Sequence, residues 1–329
     1  MKIMEVCGTH TAAILKNGIR GIIPPDIQLV SGPGCPVCVT SEAVIDQLIE
    51  AAFTPGYRVL SFGDMFKVAG TESSLAQAKA GGAAVEMIYS PLDAVEIAKS
   101  ETDTTFVIAA AGFETTAPVF AVLLKKLIDN NIRNVKFVTA LKTMPPALEF
   151  INKFEDVDAF ICPGHVAVIV GAEPFRRLNK PCVIAGFEGE HILAAIYELA
   201  AQVKQNRAEV VNLYPSVVTG SPQPKAAEVV ARFFEPGDAE WRGIGTLKNS
   251  GLYLRAEYAE FDYGSRFEES PQTANPCRCG DVLLGRIRPD ECPLFGKGCN
   301  PEHAAGACMV SAEGACANHY NLGNLGDFR

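Results

Sequence analysis

The sequence predicts an α/β protein: two Rossmann-like parallel-sheet α/β domains followed by a small cysteine-rich C-terminal domain. Three observations carry this expectation. Short, continuously apolar runs such as Arg58–Phe62 and Thr105–Ala110 alternate with helical patterns, as strands covered on both faces require. Polar and glycine-rich loops follow those runs, where parallel sheets bind their ligands. Finally, six of the eleven cysteines fall between Cys277 and Cys316, each close to Gly or Pro. That last segment has too little apolar periodicity for a core of its own and needs a covalent or metal staple. The expected boundaries are 1–100, 101–240 and 241–329.

Taken in order, Lys2–Cys7 reads as a strand that runs into Gly8-Thr9-His10-Thr11 and a helix through Lys16. Cys7 then lies at a helix N-terminus, whose partial positive charge lowers a thiol pKa. His10 stands three residues on, as a base or a second ligand. Cys7 also reads as an ordinary buried cysteine. Ile27–Val30 is a strand leading into Cys35-Pro-Val-Cys38, before a helix over Glu42–Ala52. C-x-x-C in that setting reads as a thioredoxin-like redox pair; half a zinc site and an inert packing pair are the alternatives.

The middle of the chain repeats the strand–loop–helix unit. Arg58–Phe62 precedes GDMFKVAG, and Ala84–Tyr89 leads into a helix over Pro91–Lys99. Thr105–Ala110 enters Gly112-Phe113-Glu114-Thr115-Thr116, Ala159–Cys162 opens PGHVAVIVG with His165, and Pro181–Ala185 opens GFEGEHIL. Asp64, Lys67, Glu114, Thr115, Thr116, His165 and Glu188 are the candidates for lining a site, although each Glu or Thr serves equally well as a helix cap. Gly112-Phe113-Glu114 and Gly186-Phe187-Glu188 suggest a weak internal repeat. Neither GxGxxG nor a Walker A loop is present. Glu240–Asp262 reads as a return segment packing the cysteine-rich end onto the body, and Cys162 and Cys182 as structural.

Composition narrows the function classes. Net charge is −9 with 20% charged residues, and no Lys/Arg run stands out, which argues against nucleic acid. No apolar stretch reaches the roughly 20 residues of a membrane span. The start, MKIMEVCGTHT, lacks an export signal, so a cytoplasmic location with reduced thiols is expected. For the C-terminal staple this disfavours disulfides. Zinc sites usually show two close C-x2-C pairs, whereas here C-x-C at Cys277/Cys279 is followed by gaps of x12, x6, x8 and x7. Such irregular spacing suits a [4Fe–4S] cluster first and zinc second.

The chain resembles the HypD family of hydrogenase maturation factors over essentially its whole length. The resemblance is carried by MEVCGTHT (Met4–Thr11), SGPGCPVCVT (Ser31–Thr40), FGDMFKV (Phe62–Val68), AGFETTAPVFA (Ala111–Ala121), PGHVAVIVG (Pro163–Gly171), AGFEGEHIL (Ala185–Leu193) and the C-terminal CPLFGKGC with ACMVSAEGACANHY. It implies a scaffold and redox protein for assembling the Fe(CN)2(CO) unit of [NiFe] hydrogenase, working with a HypC-type small chaperone and accepting cyanide from a HypE-type donor. It implies Cys7 as ligand to that iron, with His10, Cys35, Cys38, Glu114, Thr115, Thr116 and His165 at the working site. A family spacing of C-x14-C-x6-C-x16-C implies cluster ligands Cys277 (or Cys279), Cys292, Cys299 and Cys316. Two positions depart from the family: Ala12 stands where a second His is common, and Ala167 where Ser is common. A thioredoxin-like oxidoreductase with an accessory metal domain is the rival reading, and a purely structural zinc protein a further one.

Overall fold

A computed structural model describes residues 1–265 and 276–323. Eleven strands form in chain order: β1 (Lys2–Glu5), β2 (Gln28–Ser31), β3 (Tyr57–Ser61), β4 (Val85–Met87), β5 (Thr105–Gly112), β6 (Val135–Lys142), β7 (Ala159–Pro163), β8 (Cys182–Ala185), β9 (Val210–Asn212), β10 (Phe234–Trp241) and β11 (Gly245–Leu254). They make two sheets, ordered β2-β1-β7-β8-β9 and β10-β11-β6-β5-β3-β4. The architecture is mixed α/β with a cysteine-rich C-terminal segment.

The chain divides into two compact units, and these are interleaved rather than consecutive. The first joins Met1–Val39, Met144–Gln223 and the described C-terminal residues; the second joins Thr40–Thr143 and the described residues from Pro224 to Ser265. The expected boundaries at 100 and 240 therefore do not coincide with them. Strand–helix alternation continues unbroken when the chain leaves one sheet for the other, so it carries no mark of the crossing. The expected segment 241–329 also includes residues 266–275 and 324–329, which lie outside the described residues.

In the first unit every strand pairing is parallel, with Ile3 opposite Leu29 on one side and Ala159 on the other. Ile3, Leu29, Ile161 and Val183 pack under Ile14 from the helix Gly8–Lys16 and under Ile192, Ile196 and Leu199 from the helix Gly189–Lys204. Both helices start just beyond a strand's carboxyl end, which aims their N-termini at the loops there.

The second unit shows why its strands are apolar without alternation. Along β5, Phe106, Ile108 and Ala110 enter one core with Phe120, Leu124 and Phe137. Val107 and Ala109 enter another with Leu48, Leu75 and Val138. Successive side chains point to opposite faces, so both faces are covered.

Glu240–Asp262 corrects the sequence reading. It is no return segment: β10 and β11 form an antiparallel hairpin, and β11 joins the edge of β6. The turn is made by Gly243 and Gly245, both at positive φ (74° and 104°), which a residue with a side chain rarely adopts. Trp241 is buried there and donates its indole N–H to Ser250 Oγ at 2.8 Å. No helix among the described residues is long and apolar enough to cross a membrane.

Candidate metal and thiol site

Cys7 follows β1 and occupies the N-cap of the helix Gly8–Lys16, with extended backbone (φ −150°, ψ 124°). Backbone N–H groups of Thr9 and His10 and the Thr9 side chain reach its sulfur, as a helix start dictates. These contacts favour thiolate, but burial outweighs them and, with Glu5 nearby, raises the Cys7 pKa above its ordinary value. The expectation of a lowered pKa is thus corrected. The helix end is present, but the sulfur is too poorly solvated for it to win.

Glu5 is a residue the sequence reading missed. It is buried at the end of β1, accepts Cys7 N–H on Oε2 at 3.2 Å, and accepts the Thr11 hydroxyl on Oε1 at 2.5 Å. Burial raises its pKa to about 7 against those hydrogen bonds. A carboxyl next to a cysteine in an otherwise apolar strand was the available signal. The Gly32–Gly34 loop closes over the same place. Gly32 N–H donates to Glu5 O at 2.7 Å, and a Cβ on Gly34 would overlap the Cys7 backbone.

His10 is fully buried, and its Nε2–H donates to Gly186 O at 3.0 Å. A carbonyl only accepts, so the ring carries its proton on Nε2, leaving Nδ1 an acceptor with no hydrogen-bond partner. Burial lowers the His10 pKa to about 4, so the ring is neutral near pH 7. The rings of His10 and His165 both contact Phe187, with centroids 4.6 and 4.1 Å away. His165 is exposed at the start of the helix Gly164–Val170. His191, also missed, has a buried Nδ1 without a partner beside Gly186. The carboxyl ends of β1, β7 and β8 thus gather Cys7, His10, His165 and His191. Glu114, Thr115 and Thr116 belong to the second unit, after β5: Glu114 is buried, Thr115 exposed, and Thr116 caps the helix Ala117–Asp129 without a side-chain bond.

Cys35 and Cys38 form a buried disulfide with Cα atoms 5.2 Å apart. They occupy a turn after β2 rather than a helix start; the helix Glu42–Phe53 begins beyond them. Cys38 Sγ lies 3.8 Å from Ala307 O, one residue from Cys308. Cys308 is itself paired with Cys279, a partnership that spacing could not reveal. All six C-terminal cysteines line one cavity with Val282, Leu294, Phe295 and Met309. Cys277, Cys292, Cys299 and Cys316 are the other four. Burial, then the nearness of Cys277, Cys299 and Cys292, pushes the Cys316 thiol up. Among the described residues no three His, Cys, Asp or Glu side chains converge on the position of a single metal ion. A donor set of four thiols around one apolar-walled space matches a sulfur-liking group that spreads its ligands more widely.

Two α/β units, one of them wholly parallel, a buried disulfide and a cavity lined by six cysteines define a cysteine-rich α/β protein. Residues 1–323 match the family described as HypD, hydrogenase formation hypA family. The chain is 39% identical to the hydrogenase maturation factor HypD of Escherichia coli, covering 97% of this chain and 88% of that one. It is 40% identical to a putative hydrogenase expression/formation protein of Methanocaldococcus jannaschii (97% and 91% covered) and 41% identical to the HypD of Rhizobium leguminosarum (98% and 88%). The chain belongs to the HypD family.

Proposed function

We propose that this protein is a hydrogenase maturation factor, a scaffold and redox protein on which the Fe(CN)2(CO) unit of [NiFe] hydrogenase is assembled as cargo. One observation carries the reading: Cys7, the Cys35–Cys38 disulfide and the cysteine-lined cavity are linked in turn through their chain neighbours. Gly34 packs on the Cys7 backbone, Cys38 reaches Ala307, and Cys308 lines the cavity. Cys7 is the ligand to the cargo iron, shared with a thiolate of a HypC-type small chaperone, because a soft thiolate suits cyanide-bound iron. Its raised pKa keeps it protonated at rest, so iron binding displaces a proton. Glu5 holds the Cys7 peptide, His165 offers an N–H to cyanide nitrogens delivered by a HypE-type donor, and His10 Nδ1 offers an acceptor for a proton donor at the site. Both units are read as Rossmann-like, and the work is assigned to the cytoplasm on the sequence expectation.

Cys277, Cys292, Cys299 and Cys316 would hold a [4Fe–4S] cluster, which supplies single electrons when bound. Opening the Cys35–Cys38 disulfide takes two electrons and two protons, and Cys38 reaches Ala307, next to Cys308 of the cavity. The rival oxidoreductase reading leaves Cys7 and His10 without a task. The test is infrared spectroscopy of the complex with the small chaperone, where coordinated cyanide and CO absorb apart from protein bands. Cys7→Ser should keep the fold and lose those bands; bands at wild-type intensity would refute Cys7 as ligand.

A further inference from the structure

The second unit contains a cavity that the maturation chemistry does not use. It measures about 170 Å³ and is lined by Ser41, Thr139, Lys142, Glu240 and Tyr253 among others. Two of its features make unmet demands, and a third adds positive potential. Lys142 ends β6 and is 4% exposed; its ammonium donates to Glu240 O at 2.5 Å and lies 5.6 Å from the Trp241 ring centre. No further hydrogen-bond partner of that ammonium appears among the described residues, so two of its three donors are left over. Thr139 is 3% exposed, and its hydroxyl has no hydrogen-bond partner among the described residues. Ser41 caps the helix Glu42–Phe53 without a side-chain bond, so the positive end of a 12-residue helix faces the same space. The first-turn acid that would oppose this, Glu42, stands 3.7 Å from Arg242.

We propose that this cavity binds a small planar monoanion of the carboxylate class. Two ammonium donors, a hydroxyl and a helix N-terminus are all donors or positive ends, and only a ligand rich in acceptors satisfies them together. The volume is that of about five or six waters, which limits the ligand to a few heavy atoms. Asp238 and Glu240 also line the space. Asp238 accepts Asn249 N–H at 2.9 Å, and the Glu240 charge favours the Lys142 ammonium. These two acids select against phosphate and other multiply charged anions. Burial lowers the Lys142 pKa, a penalty that a bound anion would offset. The site also lies next to the GFETT loop. Trp241, under the Lys142 ammonium, stacks on Phe113 at 5.9 Å, and Phe113 directly precedes Glu114. The bound anion would therefore brace the residue that positions that loop.

Trp241 is the only tryptophan of the chain, so its fluorescence reports on this cavity alone. The probe is formate, titrated against chloride at constant ionic strength, with labelled formate in equilibrium dialysis for stoichiometry. Saturable binding of one formate per chain with a matching Trp241 change is expected, with phosphate and chloride ineffective. Lys142→Met should abolish binding. Thr139→Val, nearly isosteric, should weaken it roughly five- to tenfold. No saturable binding, an equal response to chloride, or unchanged affinity in Thr139→Val would each overturn the proposal. The last holds even if Lys142→Met fails to fold.

Discussion

Glu5 gives the sharpest test of how the Cys7 site is built. Its carboxyl is 2% exposed and satisfies two donors, the Cys7 N–H at 3.2 Å and the Thr11 hydroxyl at 2.5 Å. Glu5→Ala removes both acceptors and leaves a hole where the side chain packed. Each donor stranded in a dry interior costs about 1–3 kcal/mol, and the lost methylenes add roughly 1 kcal/mol or more. The expected loss is therefore about 3–6 kcal/mol, enough to threaten a domain of ordinary stability. Glu5→Gln keeps the volume and one acceptor but turns an amide N–H₂ toward a donor, so about 1–3 kcal/mol is expected. Thr11→Val removes the hydroxyl's demand instead and should cost less than either.

The assay is urea unfolding of the three variants beside the wild type, reading the midpoint at unchanged slope. Alkylation of Cys7 under native conditions gives a second readout. Its rate should rise in Glu5→Gln, because the peptide that sets the sulfur's place is no longer held. If Glu5→Gln unfolds at the wild-type midpoint and alkylates at the wild-type rate, the carboxyl does not position Cys7 and the reasoning fails.

Other outcomes follow from the same geometry. Cys299→Ala should strip iron and sulfide from anaerobically purified protein and make the C-terminal segment protease-sensitive; a full iron complement would remove Cys299 from the ligand set. Cys38→Ala, with the C-terminal thiols intact, should leave mild oxidation unable to form a bridge at Cys35 and should abolish hydrogenase maturation; full maturation would exclude the relay. Lys142 makes stability depend on pH. Its pKa falls from 10.5 to about 7 on folding, so the unfolded chain binds more protons between those values. Wild-type stability should therefore rise with pH across that window by up to roughly 5 kcal/mol, with the penalty fully present below pH 7. In Lys142→Met that rise should disappear; the same slope in both proteins would show that Lys142 does not titrate with folding.

Much of the fold and site was legible because the determining physics is local. Val107 and Ala109 alternate with Phe106 and Ile108 between two apolar cores, and an unbroken apolar run is what such a strand needs. The loops after the strands were found for the same reason: polar residues directly after an apolar run sit at a strand's carboxyl end, as His10 and His165 do. What stayed hidden depends on pairing across sequence distance. Cys279 and Cys308 are separated by 29 positions, and β11 lies against β6 more than a hundred residues earlier. Spacing cannot say which of six cysteines are partners, because glycine-rich backbone closes many loops at similar entropic cost.

The Cys7 reading failed at a different level, and its failure explains the site better than success would have. The sequence showed the sulfur's nearest neighbours, the amides of a helix start, and these do act on it in the expected direction. It could not show how much solvent the rest of the fold removes. Glu313 packs on the Gly8 backbone, the Gly34 loop covers Cys7 from the other strand, and Glu5 adds its charge from beneath. Each comes from a different part of the chain, and together they reverse the sign of the shift. A thiol held protonated in this way is quiet toward stray oxidants and alkylating agents, since the thiolate is the reactive form. It becomes a ligand when a cation displaces its proton. Under the role proposed for Cys7, a sulfur kept for one iron is served better by that restraint than by a thiolate ready for any electrophile.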